Sequence, residues 1–267
     1  MEIDGKTKIM AVIGSPIVHS LSPFIHNYIA GQLGHNIAYA AFDVISDDFD
    51  EAIKGARPLG IIGLNITAPY KARAANIATF LDDLAQQAGA VNLLKLTKNG
   101  YAGYNTDIYG IRKAFEHFGI TIAGKSIRII GAGSTGRSAA IAMAQMGVKS
   151  ICIANRSREK AEALANILAI HYNVDIRVCN YEFNSQYPAE DIAILATTPD
   201  YIPSHLDHFA TIFDVNYYPL GRVPRAIGGL EMLIYQAVQT YEIILGTEVP
   251  VKIIDEILAK IKGRLLC

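Results

Sequence analysis

The sequence predicts an α/β protein of two domains, and three observations carry that prediction. Short apolar runs alternate with amphipathic stretches along the chain, the pattern of strands covered by crossover helices. A complete G-x-G-x-x-G, Gly131-Ala132-Gly133-Ser134-Thr135-Gly136, follows the apolar run "IRII" and opens a helical pattern. The first half has no such loop. Its apolar runs end instead in small polar residues, as in Leu64-Asn65-Ile66-Thr67-Ala68-Pro69-Tyr70-Lys71. The carboxyl ends of strands in open α/β sheets are where ligands bind.

The elements follow in order. "KIMAVIG" (8–14) reads as a buried strand closed by glycine. Ser22-Pro23 reads as a helix start, with serine capping and proline at the first turn. A second strand covers 37–44, and "DDFDEAIKGA" follows as a helix with acids in its first turn. "LGIIGLNIT" is a third strand, and helical patterning runs from Tyr70 to Gln87. Two extended segments then flank Lys98-Asn99-Gly100, a hairpin signal. An amphipathic stretch, 108–120, leads to the strand and glycine turn at 126–136. "SICIANR", "DIRVC", "IAILATT" and "TIFDVNY" are further strands, with a helix over 157–172. Helical patterns close the chain at 229–245 and 250–265. The predicted division is a substrate domain over 1–107, a dinucleotide-binding domain over 108–245, and a C-terminal helix, 246–267, returning to the first domain.

Bulk properties narrow the function. The chain has 267 residues, 51% hydrophobic and 18% charged, enough to bury a large core. The formal net charge of −1 provides no global field for nucleic acid or an anionic membrane. No apolar run reaches the ~18 residues of a spanning helix, and "MEIDGKTK" lacks a signal-peptide core. Three cysteines, Cys152, Cys179 and Cys267, without paired spacing suggest free thiols in a reducing cytoplasm. The seven histidines show no metal-ligand spacing, so no metal is expected.

The glycine motif in its strand–turn–helix context predicts a Rossmann dinucleotide site. Its first glycine permits the tight turn, the second lets a pyrophosphate approach, and the third lets helix and strand pack. The next strand ends Ala154-Asn155-Arg156-Ser157, where an NAD site usually carries an acid on the ribose. Arg156, with Ser157 and Lys160 nearby, suits a 2′-phosphate instead and points to NADP. Exposed arginine and a capping serine would give the same residues without any ligand.

The first domain gathers Ser20, Ser22, Asn65, Thr67, Asn92, Asn105, Thr106 and Asp107 at its strand ends, a set suited to a polyhydroxylated, carboxylated small molecule. Taken singly, each has a structural explanation as a cap or turn residue. Together, "GSPIVHSLSPFIHN", "NITAPYK", "GAVN", "YNTD", "GAGSTG" with "NRS", "DVNYYP" and "GGLEMLIYQA" resemble the shikimate dehydrogenases, in that order and over nearly the whole chain. The resemblance implies NADPH-dependent reduction of 3-dehydroshikimate to shikimate. It implies that Ser20 and Ser22 bind the substrate carboxylate and that Thr67, Lys71, Asn92 and Asp107 hold the ring hydroxyls and the reacting oxygen. Asn65 lies within the same substrate motif. Tyr217 and Gln236 would close the pocket from the second domain, and Asp83, Val215 and Gly229 would lie near the cofactor. Lys71 and Asp107 are the expected catalytic pair, a cation for the developing oxyanion and an anion to orient it. A monomer or homodimer is expected.

The sequence also departs from the family. Leu195 stands where an asparagine is usual, and Leu93 where a threonine is usual. "LGRVPRAIG" replaces an additional helix between Tyr217 and Gln236 and brings in Arg222 and Arg225. A quinate/shikimate or aminoshikimate-type dehydrogenase shares nearly every residue named. A methylenetetrahydrofolate dehydrogenase would carry a tyrosine where Ala68 stands. A non-catalytic shikimate-binding protein would have no need of both Lys71 and Asp107.

Overall fold

A computed structural model describes residues 2–181, 190–219 and 221–265. The chain divides into two compact units, residues 1–106 with 234–267, and residues 107–233.

The first unit begins with β1 (Lys8–Gly14), α1 (Ser22–Gln32), β2 (Ile37–Asp43), α2 (Phe49–Ala56) and β3 (Gly63–Ile66). Next come α3 (Lys71–Ile77), β4 (Phe80–Leu81), α4 (Asp83–Ala88), β5 (Leu93–Thr97) and β6 (Gly100–Tyr104). The strands form one sheet in the order β2-β1-β3-β5-β6-β4. β1 is central and parallel to both neighbours, so it is covered on both faces and reads as an unbroken apolar run. Helix α2 buries Phe49, Ile53 and Ala56, one helical stripe. They pack with Ala11, Ile13, Leu64, Ile66 and Tyr70 in the core. The predicted hairpin is present: β5 and β6 pair antiparallel from Leu93↔Tyr104 to Thr97↔Gly100.

The second unit holds α5 (Asp107–His117), β7 (Ser126–Ile130), α6 (Ser134–Gln145), β8 (Ser150–Ala154), α7 (Arg158–His171), β9 (Asp175–Cys179), β10 (Ile192–Leu195), β11 (Thr211–Asp214) and β12 (Ile227–Gly228). Its sheet is wholly parallel, in the order β12-β11-β10-β7-β8-β9. That is the Rossmann order, with the progress of the strands across the sheet reversing between β7 and β10. Helix α8 (Gly229–Leu245) begins in this unit, and α9 (Val251–Leu265) lies in the first.

Four expectations need correction. The helical run over 70–87 is two short helices separated by β4, because Phe80 and Leu81 pair with Ala102 and Gly103. Asp82 starts the second helix by accepting from Ala85 N at 2.8 Å. Ser22 does not cap α1: Leu21 holds the cap position, with no side-chain cap bond. The return to the first unit begins at Ile234, within α8, not at 246. Periodicity identified that helix but not what its later half packs against. Finally, Cys152 and Cys179 are joined as a disulfide, with Cα atoms 5.8 Å apart, where free thiols were expected. Neighbouring strands β8 and β9 bring together two residues separated by 27 positions. Cys267 lies outside the described residues.

Candidate active site

In the first unit the switch point lies between β1 and β3, since the order runs β2-β1-β3. The loops leaving those two strands are knitted together. Thr67 N donates to Ile13 O at 2.9 Å and Ser15 N to Ala68 O at 3.2 Å. A side chain at Gly14 would collide with the Thr67 methyl, so the motif's glycine is required by this approach. Ser20 and Ser22 follow the first loop, while Thr67 and Lys71 follow the second. Ser20 Oγ accepts from Ser22 N at 3.3 Å, and Lys71 O accepts from Val91 N at 2.8 Å. Lys71 opens α3 and is half-buried.

Behind these loops lies a buried polar network. The Ser22 hydroxyl lies beside Tyr39, and the Tyr39 hydroxyl donates to Asn65 Oδ1 at 2.8 Å. Asn65 Nδ2 donates to Asn92 O at 3.2 Å and to Thr240 Oγ1 at 3.1 Å. Asn92 Oδ1 accepts from Thr106 N at 2.7 Å, and Asn92 Nδ2 donates to Thr106 Oγ1 at 2.9 Å and to Gln236 Oε1 at 3.3 Å. Every member is buried, and a buried polar group without a partner costs ~1–3 kcal/mol. Such a satisfied network fixes side-chain directions. Burial pushes the Tyr39 phenol well above its usual range, against the opposing effect of Ser22. The structure thus brings Ser22, Asn65, Asn92 and Gln236 into one assembly. Gln236 belongs to the first unit, not the second as expected. Thr106, singled out in the sequence, is a further member, while Tyr39 and Thr240 were missed. Asp107 is buried at the start of α5, peptide-bonded to Thr106. Asp83 is exposed in the first turn of α4, also in the first unit.

In the second unit the glycine motif is built as its chemistry requires. Gly131 has φ of +113°, and a side chain there would strike Ala196 O. A side chain at Gly136 would strike Gly131 O. At Gly133 a Cβ would meet nothing within 4 Å, and no side chain caps α6. That combination leaves open space before a helix N-terminus, the fit a pyrophosphate needs. Ala132 N donates to Asn155 Oδ1 at 3.0 Å, and Asn155 Nδ2 donates to Ser157 O at 2.8 Å. Asn155 therefore joins the glycine turn to the loop carrying Arg156. Ser134 and Thr135 open α6. Arg156 and Lys160 are exposed.

Ser157 does cap α7, accepting from Lys160 N at 3.4 Å, and its hydroxyl donates to Glu159 Oε2 at 2.7 Å. That bond holds the Glu159 carboxyl below its usual range. Val215 and Tyr217 follow β11. Gly229 meets the same segment, since a side chain there would strike Asn216 O. An exposed trio, His205, Asp207 and His208, brings its ligating atoms within 4.8 Å of one another, a proximity the sequence did not suggest. No helix of the described residues is long and apolar enough to cross a membrane.

Comparison with known proteins agrees with this geometry. Residues 12–94 match the family described as "Shikimate dehydrogenase substrate binding domain" and residues 112–213 match "Shikimate / quinate 5-dehydrogenase". A shikimate dehydrogenase (NADP(+)) of Moorella thermoacetica is 33% identical over 98% of this chain and 96% of its own length. The crystal structure of the Aquifex aeolicus shikimate dehydrogenase superposes with a TM-score of 0.86 at 28% identity, covering 96% of this chain and 98% of that one. The enzyme from Thermus thermophilus, solved with NADP(H) and shikimate, has a TM-score of 0.79 at 25% identity, covering 94% and 98%. With substrate motifs at one switch point, a glycine cradle at the other, and relatives matching over nearly their full length, the chain belongs to the shikimate dehydrogenase family.

Proposed function

We propose that the chain catalyses the reversible NADP-dependent interconversion of shikimate and 3-dehydroshikimate, a step of aromatic amino acid biosynthesis. The observation that carries this reading is the buried network holding Ser22, Asn65, Asn92 and Gln236 behind the β1–β3 switch point, in a chain matched end to end by enzymes of that name. The network fixes the directions of amide and hydroxyl side chains, the groups suited to a ring bearing several hydroxyls, and so supports this reading.

When bound, the cofactor supplies or accepts the hydride. The remaining work belongs to the chain. Ser20 and Ser22 are assigned to the substrate carboxylate, and Thr67 and Asn92 to ring hydroxyls. Reduction of a carbonyl leaves negative charge on its oxygen, and the Lys71 ammonium is the cation assigned to that charge. Asp107 is the second proton-handling group, with the proton taken back from the shikimate hydroxyl in the oxidative direction. Tyr217 is assigned to the substrate, and Asp83, Val215 and Gly229 to the cofactor. The Gly131–Gly136 turn and α6 are assigned to the pyrophosphate, and Arg156, Ser157 and Lys160 to the 2′-phosphate.

The test is NADPH formation, followed by the absorbance of the reduced nicotinamide, with shikimate and NADP⁺ as substrates. Quinate and NAD⁺ serve as the competing pair. Turnover with shikimate and NADP⁺ at least about tenfold above either competitor supports the assignment. Preference for quinate would move it to the sister activity, and no turnover with any pair would refute it.

A further inference from the structure

We propose that Arg222 is a positioning residue for hydride transfer, tying the loops after β10 and β11 into one rigid edge beneath the nicotinamide half of the cofactor. The proposal rests on the dehydrogenase function above. Arg222 stands eight positions beyond Asp214, the last residue of β11, and both side chains are almost wholly buried, at 4% and 6% exposure. The guanidinium forks onto the carboxylate, Nε to Oδ2 at 2.6 Å and Nη2 to Oδ1 at 3.1 Å. Its remaining nitrogen, Nη1, donates to Pro199 O at 2.8 Å and Tyr201 O at 3.1 Å, both in the loop after β10.

A second link runs in parallel. Asp214 Oδ1 also accepts from Asn216 N and Nδ2, each at 3.0 Å, and Asn216 Nδ2 donates to Thr197 O at 3.1 Å. One carboxylate and one guanidinium thus hold two loops through backbone carbonyls, which a turn sequence alone would leave to water. The location gives the latch its role. The glycine turn follows β7 and Arg156 follows β8, so the adenine half of the dinucleotide is assigned to that side of the switch point. The other half then faces the carboxyl ends of β10 and β11, where the latched residues Thr197, Val215 and Asn216 lie. Hydride transfer demands donor and acceptor carbons in near-contact alignment, so a loosened edge lowers the rate before it lowers affinity. A lysine retains the charge of Arg222 but has no planar fork to reach four acceptors.

The experiment compares wild type with Arg222→Lys, using shikimate and NADP⁺ in one direction and NADPH deuterated at the transferred position in the other. NADPH affinity is followed by its fluorescence. The expected result is a fall in kcat of roughly tenfold or more, a dissociation constant within about threefold of wild type, and a larger primary isotope effect on kcat as hydride transfer becomes slower than release. A folded Arg222→Lys with wild-type kcat and isotope effect, and only a lower melting temperature, would overturn the proposal. Should that variant fail to fold, Asn216→Ser cuts the link to Thr197 while sparing the ion pair. The same split there supports the latch, and its absence overturns it. A wild-type chain inert with both substrates would refute the dehydrogenase function, and the latch with it. An active wild type beside an unaltered variant would remove the latch alone.

Discussion

The Tyr39 hydroxyl donates to Asn65 Oδ1 at 2.8 Å, with both residues buried. Tyr39 thereby stands between Ser22, assigned to the substrate carboxylate, and Asn65, which is bonded to Asn92, the residue assigned to ring hydroxyls. Tyr39→Phe keeps the ring but leaves the buried Asn65 amide oxygen without its donor. The expected cost is ~1–3 kcal/mol of stability in urea unfolding, with a several-fold rise in KM for shikimate and little change in kcat. An unchanged KM would separate the network from substrate binding.

Lys71→Ala removes the cation at the end of the β3 loop. Loss of one group that stabilises a developing oxyanion costs on the order of 10²-fold or more in kcat. The side chain is half-buried and opens α3 without belonging to the core, so the variant is expected to fold and to bind NADPH normally. A folded variant within a few-fold of wild-type kcat would remove Lys71 from the chemistry.

Arg156→Ala is expected to collapse the preference for NADP⁺ by roughly tenfold to a hundredfold in kcat/KM, the value of a charge-assisted bond to phosphate. Use of NAD⁺ should change far less. The structure adds a converse. Glu159 takes the Ser157 hydroxyl that a 2′-phosphate would need, and it brings a carboxylate to the same place. Glu159→Gln is therefore expected to lower KM for NADP⁺ a few-fold with NAD⁺ unaffected. Equal effects of either change on both cofactors would show that these side chains act on packing, not on the phosphate.

His26 sets an acid limit on stability. It is fully buried in α1, stacked on Tyr39 with ring centroids 4.2 Å apart, and neither ring nitrogen has a hydrogen-bond partner among the described residues. Burial pulls its pKa down to about 3. The unfolded chain takes up this proton near its ordinary value of about 6.5, while the folded chain refuses it until about 3. Below pH ~6.5 the unfolded state thus binds more protons, and stability falls as pH falls, by about 1.4 kcal/mol per unit from this group. Above pH ~6.5 both states are neutral and the contribution is constant. His26→Leu is expected to flatten the curve of unfolding free energy against pH between about 6.5 and 4 by close to one proton. An unchanged slope would mean that His26 is solvated or partnered in solution.

Much of this was readable from local chemistry. Gly131 and Gly136 were legible as the tight turn and the close helix packing because each answers to backbone geometry within a few residues. The Asn99-Gly100 hairpin and the strand ends bearing Thr67 and Asn92 were legible for the same reason. What failed depended on partners distant in sequence. Nothing near Phe80 and Leu81 announces that they will pair with Ala102 and Gly103, so helical periodicity read straight through them. Thr240 and Gln236 lie on an apolar helix whose pattern is satisfied in either unit. Their bonds to Asn65 and Asn92 span 175 and 144 positions, beyond any local rule. Arg222 was visible as an addition to a shortened loop, but only the fold reveals the buried carboxylate that it meets.

The Asn92 side chain has a consequence for how the molecule opens. By taking the Thr106 N–H at 2.7 Å it adds a rung beyond the last paired residues of β5 and β6, Leu93 and Tyr104, with Asn92 N bonded to Tyr104 O. The loop leaving β6 is in this sense stitched to the hairpin and unzips only with it. The Thr106 amide is therefore expected to exchange with deuterated solvent as slowly as the amides of β5, although it lies outside any strand. Asn92→Ala should accelerate that one amide by orders of magnitude while the hairpin interior keeps its protection. The expectation for the intact protein is that the Thr106 amide opens only when the β5–β6 hairpin opens.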